Sequence, residues 1–276
     1  MFNLSEKVIL VVGGRGHLGR DFCRKLRDQG ARLISADLPI DLKSKKREVT
    51  GPEDDAIEQV DVDVSQRSSV ASVVDEIIRK HEKIDVLVFA ATTKPKDFYL
   101  PFLECSLEGW QAVTRVEMDG LFLVAQEVGK VMEKNQNGSM IFISSIYGVV
   151  GNDQRIYAGA NLSEVHGIGP DEEEGSGKQP FSHAAYAAVK GSVISMTRFL
   201  SAYWGEKNIR VNCISPGGVQ HEGENETFLE KYAQKVPLGR KAKAHEISAS
   251  VVFLASDEAT YVTGQNIIVD GGWTSW

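Results

Sequence analysis

The sequence predicts an α/β protein with a doubly wound parallel sheet, covered by helices on both faces in three αβα layers. Short apolar runs alternate with longer segments that have helical periodicity, which is typical of repeated β–α units. The short runs are continuously apolar, as expected of parallel strands buried on both faces. A glycine-rich turn follows the first run and opens the first helix. These three observations favour one parallel sheet with right-handed crossovers.

The predicted elements follow in chain order. The predicted strands are Val8–Val12, Arg32–Ala36, Val60–Val62, Ile84–Phe89, Met140–Ser144, Ile209–Ile214 and Asn266–Val269. The predicted helices are Leu18–Gln29, Ser68–His81, Leu107–Lys134, Tyr186–Trp204 and Glu246–Ala255. No linker rich in proline, glycine or serine divides the sequence. We therefore expect a single domain over residues 1–276 with an insertion at about 149–182.

Composition excludes several classes of protein. The formal net charge of −7 argues against a nucleic-acid partner. The longest apolar runs have the length of a strand, so no membrane segment is expected. Three scattered cysteines are too few for a disulfide framework or a zinc site, and no metal is predicted. No signal peptide is visible, and a cytoplasmic protein with a small-molecule substrate is expected.

The turn Gly13–Gly19 predicts a nucleotide site. Its glycines allow backbone N–H groups to approach a pyrophosphate closely at the N-terminus of the first helix. Asp37 ends the second strand, where a carboxylate can accept hydrogen bonds from adenosine ribose hydroxyls and repel a 2′-phosphate. Arg15 leaves NADP(H) open as an alternative, because a cation in this turn favours a cofactor that carries a 2′-phosphate. We expect NAD(H), with NADP(H) as the alternative.

A second constellation predicts proton transfer. Tyr186 and Lys190 stand four residues apart on one helix face, where the ammonium stabilises the phenolate form of the tyrosine. Ser144 and Ser145 end the fifth strand, at the sheet edge where ligands bind in open α/β sheets. A hydroxyl there can hold a substrate carbonyl or alkoxide oxygen close to Tyr186.

Together these motifs resemble those of the short-chain dehydrogenase/reductase family, in its compact single-domain branch. The resemblance covers nearly the whole chain and includes the runs Ile209–Val219, Val252–Asp257, Thr263–Gln265 and Val269–Gly272. It implies a Rossmann fold and an NAD(P)-dependent enzyme that interconverts a secondary alcohol and a ketone by hydride transfer. It also implies a homodimer or homotetramer.

The resemblance assigns roles to matching residues. Tyr186 is implied as the general acid/base, Lys190 as the residue that binds the nicotinamide ribose and tunes the tyrosine, and Ser145, rather than Ser144, as the substrate-orienting serine. With the glycine turn, the implied cofactor-binding residues are Gly13, Arg15, Gly16, His17, Leu18, Gly19, Asp37, Asp63, Val64, Ala90, Ala91, Tyr186, Lys190, Pro216, Gly217 and Val219.

Three departures from the family pattern stand out. The family's Asn-Asn-Ala-Gly run reads Phe89–Thr92 here, without its usual turn-stabilising hydrogen bonds. Glu117 occupies the position of the family's fourth active-site residue, an asparagine that holds a relay water. A glutamate there either holds that water, titrates, or impairs the relay. The glycine spacing is closer to that of the family's larger, sugar-nucleotide-modifying branch.

The insertion separates Ser145 from Tyr186, so we expect it to lie over or beside the substrate crevice. The runs Ile146–Val150 and Gln154–Tyr157 resemble those of dehydrogenases of sugar biosynthesis for flagellin glycans, and a hydroxylated sugar derivative, charged or neutral, is the preferred substrate class. The candidate substrate residues are Tyr147, Asn152, Arg155 and Tyr157, with Trp273 and Trp276 as further candidates for the pocket or for a neighbouring subunit.

Two alternative functions are weighed. A sugar-nucleotide epimerase or dehydratase is less favoured, because that branch has a substrate domain beyond the last strand and this sequence ends at Trp276. A cofactor-binding regulator that lost catalysis is the second alternative, suggested by Glu117 and Phe89–Thr92. The intact set of Ser145, Tyr186 and Lys190 favours an enzyme.

Overall fold

The structure, a computed structural model, describes residues 2–39, 56–166 and 179–276. Within these ranges seven parallel strands form one sheet in the order β3-β2-β1-β4-β5-β6-β7. The strands are β1 (Val8–Val12), β2 (Arg32–Asp37), β3 (Ile57–Asp61), β4 (Val86–Phe89), β5 (Gly138–Ile143), β6 (Ile209–Pro216) and β7 (Asn266–Val269). The strand order reverses between β1 and β4, which is where ligands bind in doubly wound sheets. The predicted fold class is confirmed.

Helices cover both faces of the sheet. They are α1 (His17–Asp28), α2 (Arg67–His81), α3 (Leu107–Thr114), α4 (Gly120–Asn135), α5 (Leu162–Val165), α6 (Ala184–Trp204), α7 (Glu226–Ala233) and α8 (Ala244–Ala255). Alternate residues of the strands point to opposite faces of the sheet and pack into two apolar cores. Leu10 packs with residues of α2, α4 and α6, whereas Ile9 packs with residues of α1 and α8. Burial on both faces explains why the strands are continuously apolar.

Several element bounds differ from the prediction. The third strand, predicted at Val60–Val62, spans Ile57–Asp61, because its polar Glu58 and Gln59 hid the strand pattern. The long helix predicted at Leu107–Lys134 is divided by a π turn at Arg115–Asp119. Helix α7 was not predicted at all. Its local signal is Asn225, whose side chain accepts a hydrogen bond from the Phe228 N–H at 3.1 Å and caps the helix.

The described part of the insertion packs against α7. Ile156, Tyr157 and Leu162 form a third apolar core with Phe228 and Tyr232 of that helix. Residues 167–178, including the acidic run 171–174, lie outside the described residues. The insertion therefore meets the carboxyl edge of the sheet through apolar contacts, beside the end of β5.

Two further expectations concern membranes and cysteines. None of the described helices combines the length and the apolar character needed to cross a membrane. Cys23 and Cys213 are buried and Cys105 is half-buried, and all three are free thiols.

Candidate active site

A cavity of about 320 Å³ lies at the carboxyl edge of the sheet, beside the switch point. The glycine turn, the ends of β4, β5 and β6, and helices α6 and α7 all contribute to its wall. Ser145, Tyr186 and Lys190 line this one cavity, although 40 residues of sequence separate the serine from the tyrosine. The structure thus brings the predicted catalytic residues to one place.

The two serines at the end of β5 have different partners. The buried Ser144 hydroxyl donates to the carbonyl of Lys190 at 2.8 Å and so attaches β5 to helix α6. The Ser145 hydroxyl oxygen accepts the Tyr147 N–H at 3.2 Å and begins a short 3-10 turn. Because Ser145 lines the cavity and uses its hydroxyl only as an acceptor among the described residues, its hydrogen is available to a ligand.

Lys190 is buried and forms an ion pair. Its ammonium lies 2.9 Å from Oε2 of Glu117, with side chains only 7% and 1% exposed, and donates to the Ile143 carbonyl at 3.0 Å. Burial lowers the pKa of Lys190, but the charge and hydrogen bond of Glu117 together with the charge of Tyr186 outweigh this effect, and the pKa stands above its ordinary value. Lys190 is therefore held as an ammonium, with one of its three hydrogens left for a ligand.

The departures at Phe89–Thr92 and at Glu117 are connected. The Thr92 hydroxyl donates to Oε1 of Glu117 at 2.6 Å and joins the end of β4 to the π turn. The π turn carries Glu117 into the interior, a placement often found at functional sites. A hydrogen bond from Thr92 to Glu117 and an ion pair from Glu117 to Lys190 thus connect β4 to helix α6.

The glycine turn forms a cradle that side chains would fill. Gly13 has φ +84°, and a Cβ there would lie 2.6 Å from the backbone nitrogen of Ala91. A Cβ on Gly19 would lie 2.0 Å from the Gly13 carbonyl oxygen. Helix α1 follows with Gly16 as its N-cap and no side-chain cap, so N–H groups of its first turn remain for an anion. These features fit the pyrophosphate of a dinucleotide.

Asp37 and Arg15 are both engaged beside this cradle. The Asp37 carboxylate accepts the backbone N–H of Arg15 at 3.0 Å and that of Leu38 at 2.8 Å. The Arg15 guanidinium pairs with Asp61 at 2.8 Å and donates to the Leu38 carbonyl at 2.7 Å. Its side chain is only 8% exposed, so its charge is already compensated at the ends of β2 and β3.

The pair after β3 does not line the cavity. The Asp63 carboxylate accepts the backbone N–H of Ser65 at 2.9 Å and its hydroxyl at 2.7 Å, which shapes a tight turn. Val64 is buried against Gly120, where a Cβ would lie 2.8 Å from the valine side chain. The pair therefore lies next to the π turn that holds Glu117.

The segment after β6 forms the opposite wall of the cavity. Pro216, Gly217 and Val219, three of the residues that the family resemblance implies for cofactor binding, line it. The Gly217 N–H donates to the Val269 carbonyl at 2.9 Å, and the Gly218 N–H donates to the Tyr232 hydroxyl. Helix α7 thus holds this segment in place through the Tyr232 hydroxyl.

The candidate substrate residues separate into two groups. Tyr147 and Tyr157 line the cavity and share a hydrogen bond of 2.9 Å between their hydroxyls. Burial raises the pKa of both, that of Tyr157 to about 12, so both remain neutral. Arg155 is not brought to the cavity: its side chain is 82% exposed and pairs with Asp153. The side chain of Asn152 donates to the Ser182 hydroxyl instead of lining the cavity.

The two tryptophans also lie elsewhere. Trp273 packs on the Tyr232 ring, with 4.7 Å between centroids, behind the cavity wall. Trp276 is 79% exposed at the surface.

Sequence reasoning missed part of the polar lining. The lining side chains that were not predicted include Lys94, His221, Glu224 and Lys241. Lys94 follows β4 at the carboxyl edge of the sheet, a position that could have singled it out. The rings of His17 and His221 stack at 4.1 Å and join the glycine turn to the segment after β6. Among the described residues, no group of three or more His, Cys, Asp or Glu side chains could hold a metal ion.

Comparison with known proteins decides the family. The model of the short chain dehydrogenase family matches residues 7–160, more than half of the chain, and a model described as enoyl-(acyl carrier protein) reductase matches residues 175–274. The chain belongs to the short-chain dehydrogenase/reductase family. This short-chain dehydrogenase is therefore an oxidoreductase of a family that uses NAD(P).

Relatives of this short-chain dehydrogenase act on different substrates. It is 31% identical to the 3-oxoacyl-(acyl-carrier-protein) reductase FabG of Thermotoga maritima, over 98% of each chain. It is 29% identical to the D-threitol dehydrogenase of Mycolicibacterium smegmatis, over 99% of this chain and 95% of the relative. It is 28% identical to the post-translational flagellin modification protein A of Campylobacter coli, over 98% and 99%.

Two solved structures share the fold at full length. A short chain dehydrogenase from Leptospira borgpetersenii with bound NAD+ is 28% identical, with a TM-score of 0.81 and 99% and 94% of the two chains covered. A gluconate 5-dehydrogenase from Burkholderia cenocepacia, in complex with NADP and tartrate, is 26% identical, with a TM-score of 0.80 and coverage of 100% and 98%. The two neighbours hold different cofactors.

Proposed function

We propose that this short-chain dehydrogenase interconverts a secondary alcohol and a ketone on a hydroxylated, sugar-like substrate, with NAD(H) as cofactor. The observation that carries the proposal is that Ser145, Tyr186 and Lys190 meet in one cavity with the glycine cradle. Polar groups of this cavity suit a substrate with several hydroxyls. The relatives named for D-threitol and gluconate support the same substrate class.

The residues divide the proton chemistry among them. The hydride chemistry is supplied by the nicotinamide ring when the cofactor is bound. Tyr186 takes the hydroxyl proton during oxidation or gives it during reduction, as the general base or acid. Ser145 donates a hydrogen bond to the same substrate oxygen and stabilises its developing charge. The remaining hydrogen of Lys190 would bind a ribose hydroxyl of the cofactor.

Glu117 acts in this mechanism as a positioning residue. It holds Lys190 at 2.9 Å as a charged group, where an asparagine would hold a relay water. Thr92 in turn holds the other carboxylate oxygen at 2.6 Å. This role differs from the three that the sequence left open at this position: we propose that Glu117 controls the charge and position of Lys190.

The charges beside the glycine cradle favour NAD(H) over NADP(H). The Asp37 carboxylate would accept the adenosine ribose hydroxyls and repel a 2′-phosphate. Arg15 does not offset this preference, because Asp61 and the Leu38 carbonyl already occupy its guanidinium. Asp63 and Val64 remain our proposal for the adenine side of the site.

The central experiment is a cofactor-reduction assay. The purified protein is given NAD+ or NADP+ with polyols, hexoses and sugar acids, and the absorbance of the reduced nicotinamide is followed. Tyr186→Phe should lower kcat by about 10²–10⁴-fold while cofactor affinity, measured by fluorescence titration, stays near normal. An active Tyr186→Phe variant would contradict the assignment. Absence of turnover with every compound would favour the regulator of the same fold.

We also propose a homodimer or homotetramer. Large apolar side chains stand exposed on the outer faces of the π turn, α4 and α6, among them Met118 (47%), Phe122 (41%), Phe199 (62%) and Tyr203 (65%). Large exposed apolar side chains of this kind are typical of a two-fold subunit interface. Light scattering of the purified protein tests this directly, and a monomer at micromolar concentration would contradict it.

A further inference from the structure

Lys94 enters the cavity wall without a counter-ion among the described residues. It follows β4 at the carboxyl edge of the sheet and lines the cavity. Its ammonium lies 3.2 Å from the Tyr99 hydroxyl, and 5.8 Å and 5.7 Å from the ring centroids of Phe98 and Tyr99. In the part of the chain that the structure describes, no carboxylate forms an ion pair with it. Among the described residues the ammonium thus has one hydrogen-bond partner, which is neutral.

The other lysines of the cavity are compensated. Lys190 pairs with Glu117, and Lys241 pairs with Glu224. The nearby imidazoles add no charge, because burial lowers the pKa of His166 to about 3 and that of His221 to about 2. Among the described lysines of the lining, Lys94 is therefore the one that forms no ion pair with a carboxylate.

An enclosed cation without a partner is unfavourable. Removing an ammonium from water costs free energy unless an opposite charge or hydrogen bonds replace the water. Burial, and next the charge of Lys241, lower the pKa of Lys94 to about 7, while Glu117 and Glu224 act in the opposite direction. The free-energy cost of the buried ammonium therefore arises at the cavity wall, where a bound ligand can remove it.

The position of Lys94 relates it to the reacting centre. The Phe98 ring lies edge-to-face against the Tyr186 ring, with 6.0 Å between centroids. Lys94 lies over the same Phe98 ring at 5.8 Å. One aromatic ring therefore separates the ammonium from the proton-transferring tyrosine. A substrate whose oxygen meets Tyr186 needs only a few further carbons to reach Lys94.

We infer that Lys94 binds an acidic group of the substrate, a carboxylate or a phosphate ester at the far end of a hydroxylated carbon chain. The inference rests on the proposed function and narrows its substrate class from neutral and charged sugars to anionic ones. The oxyanion accepts hydrogen bonds from the ammonium and compensates its charge. The Tyr99 hydroxyl accepts a hydrogen bond from the Lys94 ammonium and fixes the position of that ammonium.

A matched substrate series tests the inference by turnover. D-Glucitol, D-gluconate and D-glucitol 6-phosphate share six carbons and differ in whether the terminal group is neutral, a carboxylate or a phosphate ester. The wild type should have a kcat/KM at least about 10-fold higher for one of the two anions than for D-glucitol. The preferred anion then distinguishes carboxylate from phosphate.

Lys94→Met keeps the length of the side chain and removes its charge. We expect it to lower kcat/KM for the preferred anion by about 10–100-fold and to change that for D-glucitol by less than about twofold. Lys96→Met is the matched control, because Lys96 is exposed two residues away and does not line the cavity. An equal loss for all three compounds would show a structural role and overturn the inference.

A labelling experiment separates this inference from the proposed function. Acetic anhydride near pH 7 should label Lys94, and peptide mass spectrometry reads the labelling of each lysine. D-Gluconate or inorganic phosphate should protect Lys94 and leave Lys96 labelled, whereas D-glucitol should protect neither. Protection without any turnover would keep the anion site and reject the dehydrogenase proposal. Turnover without protection, or neither, would reject the anion site.

Discussion

Two lysines of the same cavity have opposite electrostatic surroundings. Lys190 is buried deeper, yet its pKa is raised, because Glu117 lies 2.9 Å away. Lys94 is half-buried, yet burial lowers its pKa to about 7, because no described carboxylate pairs with it. The protein compensates one charge internally and leaves the other to a ligand. A lysine needed in every turnover is thus kept charged by the fold, whereas a lysine that recognises substrate is not.

The largest expected effect comes from removing the compensated lysine. Lys190→Met leaves Glu117 buried without its partner, so we expect a loss of about 3–5 kcal/mol in the free energy of unfolding. Activity should fall by at least about 10²-fold on all substrates, because cofactor ribose and Tyr186 lose the ammonium. Urea denaturation and steady-state kinetics measure the two effects.

The double variant Lys190→Met/Glu117→Gln separates stability from chemistry. Glutamine removes the orphaned charge, so most of the lost stability should return while activity stays low. Equal stability of the single and double variants would show that the ion pair does not couple the two residues. The comparison with Lys94 would then lose its basis.

The next effect concerns Asp37 and its neighbour Arg15. Arg15 is a further cation whose charge is compensated within the fold. Asp37→Asn removes the charge next to the adenosine ribose, so NAD(H) affinity should fall by about 10-fold and discrimination against NADP(H) should relax. Arg15 should contribute little to either, since Asp61 already pairs with it. Fluorescence titration with both cofactors measures the change, and Asp28→Asn at the far end of α1 is the control. Unchanged binding of both cofactors would remove Asp37 from the site.

The smallest effect distinguishes the two lysines by the sign of a stability change. Lys94→Met should raise the melting temperature at pH 6 by about 2–4 °C, which corresponds to about 1 kcal/mol in a chain of this size. Removing an uncompensated ammonium relieves a cost, whereas removing Lys190 creates one. Differential scanning calorimetry of Lys94→Met and the control Lys96→Met tests this, and a destabilised Lys94→Met would contradict the anion site.

The increase in melting temperature that we expect for Lys94→Met should also depend on pH. Because the pKa of Lys94 falls to about 7 in the folded protein, the unfolded chain binds this proton more tightly. The cost is complete below about pH 7 and disappears progressively towards about pH 10, the ordinary pKa of lysine. The difference in melting temperature between Lys94→Met and the wild type should therefore be smaller at pH 9 than at pH 6. Lys241, Glu117, Glu224 and the Tyr99 hydroxyl are the groups that set this titration.

Local patterns were sufficient for the sheet and for the central residues of the site. Continuous apolar runs identify buried parallel strands, and Gly13–Gly19 identifies the cradle, because both depend on neighbouring residues only. Tyr186 and Lys190 are one helical turn apart, so their mutual position follows from the helix alone.

The remaining features depend on contacts between distant segments. The π turn at Arg115–Asp119 has no sequence signal, since Val113, Glu117 and Leu121 also fit one face of a regular helix. The pairing of Glu224 with Lys241 requires α7 to be placed first, and α7 was overlooked despite its Asn225 cap. Arg155 was chosen for its chemistry, whereas its neighbour Asp153 holds it at the surface.

The close packing of helix α6 on the end of β5 has a consequence for how the substrate range of such enzymes can evolve. Gly148 packs so closely on this helix that a Cβ would lie 2.6 Å from the carbonyl carbon of Lys190, and Ser144 bonds to the same carbonyl. Both ends of the segment between Gly148 and Ala184 are thereby attached to the catalytic framework. The length and composition of that segment can vary while Ser145, Tyr186 and Lys190 keep their places. Exchange of this segment between relatives is thus a route to new substrate ranges that leaves the reaction itself intact.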